Sequence, residues 1–217
     1  MRVACVHTAV STIGVVTPLF HELLPEAELV HFVDDAAVRD AVALGKVDDR
    51  LTRRLCNLYA SAELAGAEAI LLCCSTVGET AEVGARLVGI PIVRIDEPMA
   101  EQGVALGQKI ALVATVASTL EPSTRLVRQA AARVGKQVQV VPHLCEGAFE
   151  ALGRGDLEEH DQTVTTAVRR LAGEVDVVLL AQASMLRVQP LLSDLPVPVL
   201  ASPRLGVERV RDVLRGL

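Results

Sequence analysis

Cys73-Cys74-Ser75-Thr76 closes the apolar run Ala69-Ile-Leu-Leu and precedes Val77-Gly78-Glu79-Thr80, which opens a stretch of helical period. A thiol at a strand end and near a helix start meets the positive end of the helix macrodipole, which favours a thiolate. The backbone N–H groups there, with the hydroxyls of Ser75 and Thr76, are suited to holding a carboxylate. Cys73 lies inside the apolar run and reads as a small core residue. Cys74 is therefore the candidate acid, base or nucleophile. Hydroxyls recur after other strand-like runs: Thr8, Ser11 and Thr12 early in the chain, Thr115, Ser118 and Thr119 in the middle, then Ser184 and Ser202. Ser and Thr cap helices routinely. Capping and carboxylate binding draw on the same exposed N–H groups, so the two roles are compatible. Repetition of the set suits a substrate with one or two carboxyl or amide groups.

The titratable remainder is thinner. His7 and His143 stand at strand ends and Cys145 follows one. Each is either a structural residue or a proton carrier. Lys46, Lys109 and Lys136 lie outside the strand-end motifs, which argues against Schiff-base chemistry. Asp34-Asp35 and Asp96-Glu97 read as solvated or capping charges. Gly155-Asp156 with Glu158-Glu159-His160-Asp161 reads as a solvated turn and helix start rather than a metal cluster. No paired Cys-x-x-Cys, phosphate loop or dinucleotide fingerprint is present, so neither metal nor cofactor is expected.

The elements that must position these groups alternate. Strands are expected over 3–7, 29–33, 69–73, 92–95, 110–114, 138–142, 177–181 and 197–200. Helices are expected over 21–24, 35–44, 49–65, 77–87, 99–106, 122–134, 146–151, 160–171 and 206–214. Short Val/Ile/Leu runs apolar on both faces, separated by helices, predict an α/β class with doubly wound parallel sheets. The pattern also repeats. Val3-Ala-Cys-Val-His-Thr answers Ile110-Ala-Leu-Val-Ala-Thr, and Ala69-Ile-Leu-Leu-Cys-Cys-Ser-Thr answers Val177-Val-Leu-Leu-Ala-Gln-Ala-Ser. Two pseudo-symmetric lobes follow, each a four-stranded parallel sheet flanked by helices. One covers 1–97, joined by a C-terminal helix at 204–217, and the other covers 98–203. Ligands of open parallel sheets bind beyond the carboxyl ends of the strands. The expected site is thus a cleft where the two sets of strand ends converge, with Cys74 and Gln182 facing one another.

In order along the chain, several segments resemble the aspartate/glutamate/hydantoin racemase superfamily. These are the hydroxyl-rich turn after the first strand, Leu72-Cys-Cys-Ser-Thr-Val-Gly, Arg94-Ile-Asp-Glu-Pro-Met and Ala111-Leu-Val-Ala-Thr. Later come Glu146-Gly-Ala-Phe-Glu-Ala-Leu, Leu180-Ala-Gln-Ala-Ser-Met and Ala201-Ser-Pro-Arg. The resemblance implies a cofactor-independent two-lobed enzyme in which two cysteines, one per lobe, flank the substrate α-carbon. Cys74 matches the first. The second falls on Gln182, followed by Ala183 and Ser184. Gln does not titrate in the useful range and cannot serve as a general base. The expected activity is chemistry at the α-carbon of a small carboxylate or amino-acid derivative. Racemisation, decarboxylation of an arylmalonate type and cis–trans isomerisation all stay open, as does a binding protein without turnover.

Composition narrows the partners. The 217 residues are 51% hydrophobic and 22% charged, with net charge −6 and 2% aromatics, which disfavours disorder, nucleic acid and anionic membranes. Five cysteines without a framework, no signal-peptide layout and no long apolar run predict a cytoplasmic protein with reduced thiols, either alone or as a homo-oligomer.

Overall fold

A computed structural model of the chain describes residues 1–216. They divide into two compact units, one of residues 1–98 and 203–216, the other of residues 99–202.

The first unit runs β1 (Arg2–His7), α1 (Ser11–Leu23), β2 (Glu28–Val33), α2 (Ala37–Leu44), α3 (Asp49–Leu64), β3 (Ala69–Leu72), α4 (Thr80–Gly84) and β4 (Ile92–Arg94). Its strands form one sheet of order β2-β1-β3-β4, every pair parallel. Helix α5 (Glu97–Leu106) opens the second unit, which continues with β5 (Lys109–Ala114), α6 (Ala117–Arg133), β6 (Gln139–Leu144), α7 (Ala148–Gly153) and α8 (Leu157–Leu171). After β7 (Val177–Leu180) come a 3-10 segment (Ala183–Leu192) and β8 (Val199–Ala201). This sheet has the order β6-β5-β7-β8, again all parallel. Helix α9 (Ser202–Gly216) then returns to the first unit.

The central strands explain themselves. Every residue of β3 and β7 is buried, as are Val3–His7 of β1 and Ile110–Ala114 of β5. Strands covered by helices on both faces need apolar side chains in both directions, and burying each Leu or Ile contributes about 1.5–3 kcal/mol. Two glycines mark close approach of a helix to the sheet. A Cβ at Gly103 of α5 would come within 2.8 Å of Leu179, and one at Gly206 of α9 within 2.8 Å of Ile95.

All eight expected strands are present within two residues of their expected bounds. The helices differ more. Helix α1 occupies Ser11–Leu23 where only 21–24 is expected, with Pro18 in its interior, and α6 begins five residues before Pro122. Reading Pro as a helix start and Ser/Thr runs as turns shortens both. Helix α4 is five residues long instead of spanning 77–87. The 3-10 segment after Gln182 has no counterpart in the sequence pattern. Among the described residues, no helix is long and apolar enough to cross a membrane.

Candidate active site

At the carboxyl edge of the first sheet, the amide of Cys73 donates to Val6 O at 2.8 Å, carrying the β1–β3 ladder one step past β3. Alternation then puts Cys73 and Cys74 on opposite faces. Cys73 is buried, and burial pushes its thiol well above the ordinary range. Cys74 is half-buried and packs against the apolar cluster of Val6, Leu55, Tyr59, Leu72 and Val77. The loop that follows is clamped. Gly78 N donates to Ser75 O, and Thr80 Oγ1 donates to Val77 O at 2.7 Å. That assigns the Tyr59 hydroxyl as donor to Thr80 Oγ1. The Arg94 guanidinium lies so close to Gly78 that any Cβ there would collide with it. Arg94 in turn donates to both carboxylate oxygens of Asp96 at 3.1 and 3.0 Å, with both residues buried. Asp96 is thus an internal brace, contrary to the solvated or capping charge expected of it. Asp34 is paired with Arg54 of α3.

Because α4 is so short and starts at Thr80, Cys74 does not sit at the start of a long helix. The macrodipole argument loses its basis. What the strand end does offer is Ser75, whose buried hydroxyl has no hydrogen-bond partner. Thr76 is buried beside it.

The first-strand hydroxyls split. Thr8 is buried, Ser11 is exposed, and Thr12 lies in the first turn of α1, where its hydroxyl donates to Ala9 O at 2.8 Å. Its oxygen therefore accepts from His7 Nδ1, 2.6 Å away. His7 Nε2 must then accept from His31 Nδ1 at 3.0 Å, and Thr17 Oγ1 faces His31 Nε2 at 3.4 Å. Burial, then the neighbouring His31, lowers His7 to about 4. His7 is a neutral, fully bonded histidine, which is the structural reading of the two expected for it.

In the second unit, the Ala181 amide donates to Val113 O at 2.9 Å, and Gln182 continues in extended conformation. Gln182 Oε1 accepts from both the backbone N–H of Thr115 and its hydroxyl, the latter at 3.0 Å. With both donors on the oxygen, the amide orientation is fixed and the Nε2 hydrogens are left to donate elsewhere. Met185 N donates back to Gln182 O to open the 3-10 segment, which begins with buried Ala183 and half-buried Ser184. Thr115 and Thr119 are buried, and the buried hydroxyls of Ser118 and Ser202 have no hydrogen-bond partner. Neither α1 nor α6 has a side-chain cap: their N-cap residues are Val10 and Val116. The capping role expected of these hydroxyls is therefore not the one they play. Ser123, buried and equally unpartnered in α6, escapes sequence reading because it sits past Pro122, inside a helix. The substitutes for a second thiol fare poorly. Cys145 lies in the core of this unit, its thiol pushed up to about 11 by burial. His143 sits on edge strand β6, lowered by burial and by Arg170. Asp156 caps α8 by accepting from Glu159 N, as a helix-start residue should.

Two α/β units of one strand order, each ending its third strand in a polar loop, define the class of fold seen in solved racemases. A glutamate racemase from Francisella tularensis, solved with D-glutamate, superposes with a TM-score of 0.78 at 11% identity over 99% of this chain and 81% of that one. An allantoin racemase from Klebsiella pneumoniae gives 0.73 at 15% over 100% and 89%. A protein from Yersinia pestis described as a putative Asp/Glu racemase gives 0.74 at 20% over 99% and 100%. No curated protein matches by sequence. The chain belongs to the Asp/Glu/hydantoin racemase family, whose pattern it matches over residues 7–210, and with that membership it is an isomerase-class enzyme.

Proposed function

We propose that the protein acts, without a cofactor, at the α-carbon of a small carboxylate or amino-acid derivative, with Cys74 as its acid/base or nucleophile and Gln182 as a hydrogen-bond donor to the same substrate. The observation that carries this reading is the fixed amide of Gln182. Its oxygen is spent on Thr115, so only N–H groups remain to meet a ligand. An N–H donor suits a carboxylate, or the negative charge that develops when an α-proton leaves. It cannot exchange a proton with carbon. Cys74 therefore carries the only proton transfer, or the only covalent bond, that this pair supports. The unpartnered hydroxyls of Ser75, Ser118 and Ser202 supply further donors for carboxylate oxygens.

A second reading, cis–trans isomerisation of an unsaturated dicarboxylate, draws on the same observation. There the thiolate adds to one alkene carbon, the new single bond rotates, and elimination returns the thiolate. One nucleophile and neutral donors suffice. The first reading is tested by incubating the protein in deuterium oxide with amino acids, hydantoins, α-substituted malonates and cis-dicarboxylates and following the α-carbon by NMR. Cys74-dependent exchange, protonation or isomerisation of at least one substrate class is expected. No turnover of any, together with alkylation of Cys74 that none of them slows, would overturn the proposal.

A further inference from the structure

On the face of the first sheet opposite Cys74, strand alternation aligns Cys5 and His7 of β1 with Cys73 just beyond β3. Parallel register sets His31 of β2 beside Cys5. Ligand atoms of Cys5, His7 and His31 all lie within 4.8 Å of one another, and the Cys73 thiol, on the same face, donates to Leu71 O at 3.5 Å. Cys5 and His7 are fully buried, and His31 is half-buried. Two imidazoles on one tetrahedral zinc ion, each bonded at about 2.0–2.1 Å, bring their ligating nitrogens to roughly 3.3 Å. His7 Nε2 and His31 Nδ1 already stand 3.0 Å apart. The far nitrogen of each ring faces a threonine hydroxyl, Thr12 for His7 and Thr17 for His31. That is how metal-bound histidines are oriented and held in one tautomer.

The second unit supplies the control. Its strands have the same order and register, and the positions equivalent to Cys5, His7, His31 and Cys73 are Leu112, Ala114, Pro142 and Ala181. The fold needs no polar group at any of them. Three ligand-type residues converging at those places in one unit only, with Cys73 beside them on the same face, ask for a reason other than packing.

We propose that Cys5, His7 and His31 form a three-donor site for a borderline transition-metal ion of the zinc type, a water completing the tetrahedron. The protons balance simply. The Cys5 thiol releases one proton to solvent. The Nδ1 proton of His31 moves to its Nε2, which then donates to Thr17 Oγ1, and His7 keeps its Nδ1–H on Thr12. Nitrogen and thiolate donors in this number select zinc or cobalt(II) over magnesium or calcium. The site ties β1, β2 and the first turn of α1 together beneath the Thr8–Thr12 loop. It is independent of the reaction proposed for Cys74.

The experiment uses the tag-free full chain, stripped with chelator, reduced, and titrated with cobalt(II) and then zinc. Expected are visible bands of tetrahedral cobalt with a thiolate charge-transfer band, saturation at one equivalent, and one-for-one displacement by zinc. Zinc should also raise the thermal midpoint of the wild-type chain, since a ligand of the folded state alone stabilises it. Cys5→Ser should remove the thiolate band, and His31→Gln should weaken binding at least a hundredfold. Cys74→Ala should leave both unchanged. Wild-type protein without stoichiometric binding and without a zinc-dependent midpoint would overturn the site, leaving a hydrogen-bonded histidine pair. So would binding that survives both Cys5→Ser and His31→Gln. A full cobalt signal with inactive protein would speak against the proposed function and not against the metal.

Discussion

The loops after β3 and β7 are built alike and end differently. Each begins with an amide donating to the neighbouring central strand, Cys73 to Val6 O and Ala181 to Val113 O, at 2.8 and 2.9 Å. The next residue is Cys74 in one and Gln182 in the other. Cys74 rests on apolar side chains. Gln182 is held through its own carbonyl by Thr115, whose counterpart in the first unit is Thr8. The same backbone thus presents a thiol free of fixed partners in one place and an immobilised amide in the other. The lesson is that the scaffold specifies where a group stands, and one side chain decides whether that group is able to titrate.

Substitutions can break this contrast in graded ways. Cys74→Ser should cost the most, on the order of a hundredfold or more in kcat, because a hydroxyl is a far weaker acid and nucleophile than a thiol. Substrate binding measured by calorimetry should largely survive. Arg94→Ala should leave Asp96 buried and unpaired, costing about 3–5 kcal/mol of stability in urea unfolding. No brace of this kind is described at the β7 end, so the two loops should differ in their sensitivity. Gln182→Ala should lower kcat/KM roughly ten- to a hundredfold, the loss of a contact of about 1–3 kcal/mol. Gln182→Cys sharpens the contrast by placing a thiol at both strand ends. If the amide is what limits the reaction to one proton carrier, solvent deuterium should then enter substrate from both faces.

The smallest effect concerns Cys145. Its thiol is raised to about 11 by burial, so the folded state stays protonated where an unfolded chain ionises. Its contribution to stability is therefore complete below the ordinary thiol range and is lost as pH rises toward about 11. Cys145→Ala should flatten that alkaline limb in unfolding curves and leave turnover unchanged.

Much of the fold is legible in the chain because β1, β3, β5 and β7 are apolar in both directions, a pattern that surface helices do not produce. Helix α1 is not, since Thr8–Thr12 and Pro18 carry local turn signals that tertiary packing overrides. The equivalent places of Cys74 and Gln182 at the ends of β3 and β7 are legible because the repeat aligns Leu71-Leu-Cys-Cys with Leu179-Leu-Ala-Gln. The Thr115 lock on Gln182 is invisible to sequence, since it joins groups 67 residues apart and depends on which way an amide is turned. The gathering of Cys5, His7 and His31 is equally hidden. Metal patterns are recognised by local spacing, and these residues meet only through strand register.

Helix α9 has a consequence for how the chain is made. It packs Gly206 against Ile95 and pairs Arg204 with Glu22, so the first unit is completed by a stretch made only after the whole of the second. The second unit is continuous and has all its strands beforehand. During synthesis, residues 99–202 have their whole sequence available while the first sheet waits with the surface at Ile95 uncovered. A released chain truncated after Ser202 should resist protease over its second unit and be cut within its first.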